Sequence, residues 1–192
     1  TQQAPREQRA GVATRQALGE AMGRLYVERH FPKASMAKVK TITANVVAAF
    51  RKRVEAVTWL SPSAKAQALE KLSGVYFGVG YPETWQDYSD LVVHPRDALG
   101  NLRRVEARSY RQALARLGQP VDLKQWWITA DTSGAVLLFN QNAYNFAAAL
   151  LQPTKFDPRA SDAANYGAIG AIVGHELSHF VDTLGADWDA DG

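Results

Sequence analysis

Ile169-Gly170-Ala171-Ile172-Val173-Gly174-His175-Glu176-Leu177-Ser178-His179-Phe180-Val181 lies near the end of the 192-residue chain, and its reading governs the rest. Ile169, Ile172, Val173, Leu177, Phe180, Val181 and Leu184 recur at helical spacing around much of the girth, the pattern of a helix buried in a core. The spacing predicts a helix over 162–184, capped by Asp162 and ended by Gly185 in the left-handed conformation.

His175 and His179 stand one turn apart on one face of that helix, so both imidazoles can reach a single ion. Zinc suits imidazole, at a Zn–N distance of about 2.0–2.1 Å. Glu176 is turned away by about 100°. That makes it a poor third ligand but lets it stand beside an attacking water as general base. Two histidines and a glutamate on a buried helix are costly without partners, and a metal would supply one.

The ligand set is incomplete within the chain. A catalytic zinc takes three protein ligands plus water. One extended pattern requires glycine and histidine at positions 182 and 185, where this chain has Asp182 and Gly185, and no glutamate follows Glu176. Asp182, three residues after His179, is placed to hydrogen-bond a ligand histidine rather than to bind the metal.

Working outward, the first half reads as helices: one over 14–31 ended by Pro32, and one that Ser35 can cap. A third opens at Ser61-Pro62, a serine cap followed by a proline whose missing N–H costs nothing there, and stops near Gly74. Val75–Val79 reads as a short extended segment, and 95–117 as a further helix stopped by Gly118-Gln119-Pro120. Beyond that break Trp126–Ile128, Ala135–Phe139 and Asn142–Ala147 read as short strands. The expected architecture is mainly α with a small β element, divided into a helical segment, 1–118, and a segment with the strands and the histidine helix, 119–192.

Composition narrows the function classes. With 46% apolar and 21% charged residues the chain is ordinary globular protein. The absence of cysteine excludes disulfide scaffolds, thiolate zinc sites and cysteine nucleophiles. No apolar run is long enough to span a membrane. The net charge of +3 invites a nucleic-acid reading, but both signs are interspersed and no binding motif accompanies the possible stripe Arg104, Arg108 and Arg111. No nucleic-acid partner is expected. Asp187-Trp188-Asp189-Ala190-Asp191-Gly192 opens like a calcium loop, the chain stops before the position of the closing glutamate, and the stretch reads as an acidic turn.

Asn165-Tyr166-Gly167-Ala168-Ile169-Gly170 leading into Gly174-His175-Glu176-Leu177-Ser178-His179 resembles the neprilysin and endothelin-converting-enzyme family of zinc endopeptidases. So do Phe146–Pro153, Gly23–Val27, Thr58-Trp59-Leu60 and Gly80-Tyr81-Pro82, in order along the chain. The resemblance implies an internal segment of a two-lobed, thermolysin-like enzyme, holding the end of the outer lobe and the start of the catalytic lobe. Peptides would be its substrates and Zn2+ its cofactor. His175 and His179 would be ligands, Glu176 the base and Asp182 their support. A glutamate from the remaining part of the same enzyme would be the third ligand, and a still later histidine would steady the oxyanion. The resemblance also implies an extracytoplasmic place (secreted, periplasmic or on an ectodomain), with the cytoplasm left open.

The family's substrate-binding strand carries an asparagine-alanine-aromatic motif. Counting back from Phe146 puts it at Gly134-Ala135-Val136, with glycine in place of the asparagine. Asn142-Ala143-Tyr144 is the alternative register, and the first is favoured. Thr183 stands where the family usually has a second aspartate. The rival to an enzyme is a non-catalytic helical interaction protein that keeps a relict zinc pair.

Overall fold

Helices dominate the computed structural model, which describes residues 3–192. α1 spans Arg6–His30, α2 Lys33–Ala56, α3 Pro62–Gly74 and α4 Ala98–Ala115. The sheet is formed by β1 (Tyr76–Gly80), β2 (Ala135–Leu138) and β3 (Ala143–Ala147). A 3-10 turn, Phe139–Gln141, separates the last two. The final helix is continuous but of mixed pitch: α5 (Asp162–Asn165), a π turn (Tyr166–Gly170) and α6 (Ala171–His179).

α2 is the central support. Its Val39 and Ile42 are buried, and it packs on the π turn, α6, α3 and β1. Ile169, Val173, Leu177 and Phe180 are completely buried on the facing side of the final helix. Each such side chain contributes about 1.5–3 kcal/mol by leaving water, so this seam fixes where the histidines point. Gly170 and Gly174 lie in it, yet a methyl group would fit at both, 3.6 Å from Ile42 and 3.8 Å from Val46.

The sheet order is β1-β3-β2, with β1 parallel and β2 antiparallel to the middle strand. β1 comes from the expected helical segment and β3 from the expected catalytic one, so a single sheet crosses the break at Gly118. At that break Gly118 adopts φ +75°, after α4 has ended.

Several expectations need correction. α1 begins at Arg6 and breaks its helical geometry at Leu18 rather than starting at Thr14. α2 starts at Lys33, so Ser35 lies in its first turn and does not cap it. Asp97 caps α4, accepting a hydrogen bond from Gly100 N at 3.0 Å, and starts that helix three residues later than predicted. Trp126–Ile128 is no strand: Trp126 lies across Gly78 in β1, and Trp127 is exposed with its indole N–H donated to Gln141.

The final helix differs most. Ser161, not Asp162, caps it, its hydroxyl accepting from Ala164 N at 3.2 Å. It stops at His179 rather than 184, where the Phe180 N–H turns back to the Leu177 carbonyl. Gly185 is not left-handed. Only one face is buried: His175 is exposed while Val173 and Leu177 opposite are not. The burial cost expected for the histidines is therefore mostly absent in this chain.

Candidate metal centre

Reciprocal hydrogen bonds anchor the start of the histidine helix. Asn165, itself buried, accepts from Asp157 N at 3.0 Å and donates to Asp157 O at 2.9 Å. From this anchor the π turn and α6 carry His175 and His179 to the open side of the seam.

The Nε2 atoms of His175 and His179 lie 3.2 Å apart, with the rings nearly perpendicular at 82°. Two nitrogens bound tetrahedrally to one zinc at about 2.0–2.1 Å are separated by about 3.3 Å. The pair therefore fits two corners of a zinc site without rearrangement. His179 Nδ1 is 2.8 Å from Asp182 Oδ2. An ionised carboxylate can only accept, so the ring proton sits on Nδ1 and the lone pair of Nε2 faces outward. The His179 imidazole, together with the Leu184 N–H, holds the Asp182 carboxyl below the usual carboxylate range. Among the described residues no group of three or more His, Asp or Glu side chains is placed to hold a metal ion.

Glu176 projects toward β3. There burial first, and then the charge of Glu176, push the buried Tyr144 phenol well above its ordinary pKa. Tyr144 therefore remains a donor. The sequence reading missed this residue, because alternation in a strand says which residues share a face but not what the face meets. It also missed Lys71, a buried lysine of α3 whose Nζ donates to Gly185 O at 2.5 Å. A signal existed: Lys71 falls three residues after Ala68 and beside Leu72, on the apolar stripe of its helix.

The two registers for the substrate strand lie in different strands. Gly134 and Ala135 stand at the start of β2, an edge of the sheet. Gly134 O accepts from Ala147 N at 3.2 Å. The alternation of an antiparallel ladder then turns the N–H and C=O of Ala135 away from β3. Ala143 begins the middle strand, flanked on both sides, and is fully buried. Asn142 adopts φ +47° and donates to Lys71 O at 2.9 Å, joining the sheet to α3.

Part of the charged surface is paired within the chain. Arg104 donates to Asp97 at 2.9 Å, and the buried Arg108 bonds Asp90 at 2.7 Å and lies over the Tyr88 ring. Two of the three arginines in the basic stripe are thus engaged within the chain. No helix among the described residues is long and apolar enough to cross a membrane.

Two models of peptidase family M13 match the chain, one over residues 1–82 and the other over residues 134–192. Endothelin-converting enzyme-like 1 of Rattus norvegicus is 34% identical over 181 residues, covering 91% of this chain and 23% of the relative. A neutral endopeptidase of Lactobacillus helveticus is 32% identical over 178 residues, 92% of this chain and 28% of its own length. The chain thus spans about a quarter of the length of these curated relatives. Among solved structures, the Mycobacterium tuberculosis zinc metalloprotease ZMP1 in its open state superposes with a TM-score of 0.90 at 40% identity, covering 100% of this chain and 30% of that one. Sequence and fold agree: the chain belongs to peptidase family M13.

Proposed function

We propose that this chain is the zinc-ligand segment of a zinc-dependent endopeptidase that hydrolyses oligopeptides. The carrying observation is the convergence of His175 Nε2 and His179 Nε2 at 3.2 Å, with Asp182 behind His179. His175 and His179 hold the metal, and the third ligand is a glutamate from the remaining part of the same enzyme. Bound zinc supplies Lewis acidity toward the scissile carbonyl and the attacking water. Glu176 accepts a proton from that water and delivers it to the leaving amine nitrogen. Asp182 holds His179 in the Nε2-ligating tautomer.

The substrate backbone adds along β2, where Ala135 offers its N–H and C=O and Gly134 contributes no side-chain contact. Residues 1–118 belong to the outer lobe and 119–192 to the catalytic lobe, a division supported by family models that end at 82 and begin at 134. The resemblance also supports an extracytoplasmic enzyme, which fractionation of the source cells tests.

The test of the activity is metal analysis and peptide cleavage with the full-length protein. One zinc per molecule, with cleavage lost to a chelator, is expected. Glu176→Gln should keep the zinc and lower kcat by about 10²–10⁴-fold. Zinc retained without cleavage in the unmodified full-length protein would leave the relict-pair reading. Cleavage undiminished in Glu176→Gln would exclude the proposed base.

A further inference from the structure

We infer that Lys71 is a positioning residue for the zinc site, tying the turn after the histidine helix to α3 and through it setting the orientation of His179. The inference rests on the zinc site proposed above.

The connection runs through three hydrogen bonds and the Leu184–Gly185 peptide unit. Lys71 Nζ donates to Gly185 O at 2.5 Å. The backbone N–H of Leu184, the residue joined to Gly185 by a peptide bond, is donated to the Asp182 carboxylate at 2.8 Å. Asp182 Oδ2 in turn holds His179 Nδ1 at 2.8 Å. From α3 to a ligand imidazole there is no gap in the chain of contacts.

Two further observations show that the turn is held, not merely touched. A methyl group on Gly185 would come within 2.4 Å of Phe180 O and 2.5 Å of His179 O, so the turn is folded tightly onto the helix end. At the other end of the link, the Lys71 carbonyl accepts from Asn142 Nδ2 at 2.9 Å, which fixes its backbone to the sheet. Lys71 is only 7% exposed. Burial lowers its pKa, while the charge of Asp189 opposes that shift. A buried ammonium needs acceptors, and a hydrocarbon of equal length would fill the space without holding the turn.

The experiment uses full-length protein carrying Lys71→Met, Asp182→Ala and both together. It reads the zinc dissociation constant by chelator competition and separates kcat from KM. Partners behind a ligand commonly govern 10–100-fold of metal affinity. Acting two bonds further back, Lys71→Met should weaken zinc about fivefold and lower kcat with KM little changed. In the Asp182→Ala background the same substitution should add almost nothing, because the path to His179 is already cut. Unchanged zinc affinity in Lys71→Met, or fully multiplicative effects in the double variant, would overturn the inference. Should Lys71→Met not fold, Lys71→Gln is read by the same criteria. Wild-type protein that takes up no zinc would defeat the underlying site itself, a result distinct from either.

Discussion

His179 Nδ1, at the end of α6, and Asp182 Oδ2, in the turn that follows, are 2.8 Å apart, and the carboxylate's remaining oxygen accepts from Leu184 N at the same distance. One side chain thus sets the tautomer of His179 and organises the backbone that follows the helix.

Removing that carboxylate should loosen the metal before it unfolds the protein. In Asp182→Ala the His179 ring loses its fixed proton position, and zinc affinity should fall about 10–100-fold. Competition with a chelator of known affinity measures it, and an unchanged constant would mean that Asp182 serves the turn alone.

Tyr144 makes a prediction at alkaline pH. Its native pKa is raised above 10.0 by burial and by Glu176, so above that pH the folded chain keeps a proton that the unfolded chain releases. Stability should be intact below pH 10 and decline above it. Tyr144→Phe should remove part of the decline, the rest coming from Tyr26 and Tyr88, which are raised as well. At neutral pH, where the phenol is protonated in both states, it should change stability by no more than about 1 kcal/mol. Urea unfolding at a series of pH values reads both effects.

Acid should act through carboxylates held low in the fold. Arg104 and the Gly100 N–H lower Asp97, and hydrogen bonds from Ser89 and Arg159 lower Asp87 and Asp157. Their stabilisation is complete above about pH 5, where the unfolded groups are also ionised. It is lost as pH falls through native values below 3.8. Asp97→Asn keeps an N-cap acceptor but removes the charge, so it should flatten the acid limb by giving up at pH 7 the stabilisation that the unmodified chain loses in acid.

Two glycines should behave oppositely. A Cβ at Gly78 would fall 2.3 Å from Asn145 Oδ1 and 2.7 Å from Trp126, all within the sheet's packed face. Gly78→Ala should cost about 1–3 kcal/mol by overpacking. At Gly174 the nearest atom is 3.8 Å away, and Gly174→Ala should be neutral or stabilising through the better helix propensity of alanine. Thermal denaturation of the two variants side by side decides it.

Local signals carried much of this fold. The four-residue spacing of His175 and His179 brings their Nε2 atoms together, and Ser61 caps α3 as its hydroxyl and Pro62 indicate. The glycine-proline break after α4 lies where it was expected. Signals that depend on partners were unreadable. Trp126–Ile128 has strand-forming residues but no neighbour to pair with. The histidine helix looks apolar enough to continue to Leu184, yet the chain turns after His179, where Asp182 bonds back to the His179 ring and Gly185 packs closely against the His179 and Phe180 carbonyls. Tyr144 and Lys71 needed the tertiary structure, since each acts on a residue more than thirty positions away in sequence.

The π turn at Tyr166–Gly170 has a consequence for residue counting. Such a turn accommodates one more residue than an α-helix would over the same ladder, and each residue advances the helix by about 100°. Deleting one residue there would let the backbone close into ordinary α geometry and rotate everything downstream relative to Asn165. With Asn165 anchored to Asp157 and Val173 locked in the core, the rotation could not be absorbed at both ends. The histidine pair would swing toward α2, or the core seam would come apart. The direction of the metal site is thus encoded partly in the number of residues preceding it, a property that no substitution scan of the ligands would expose.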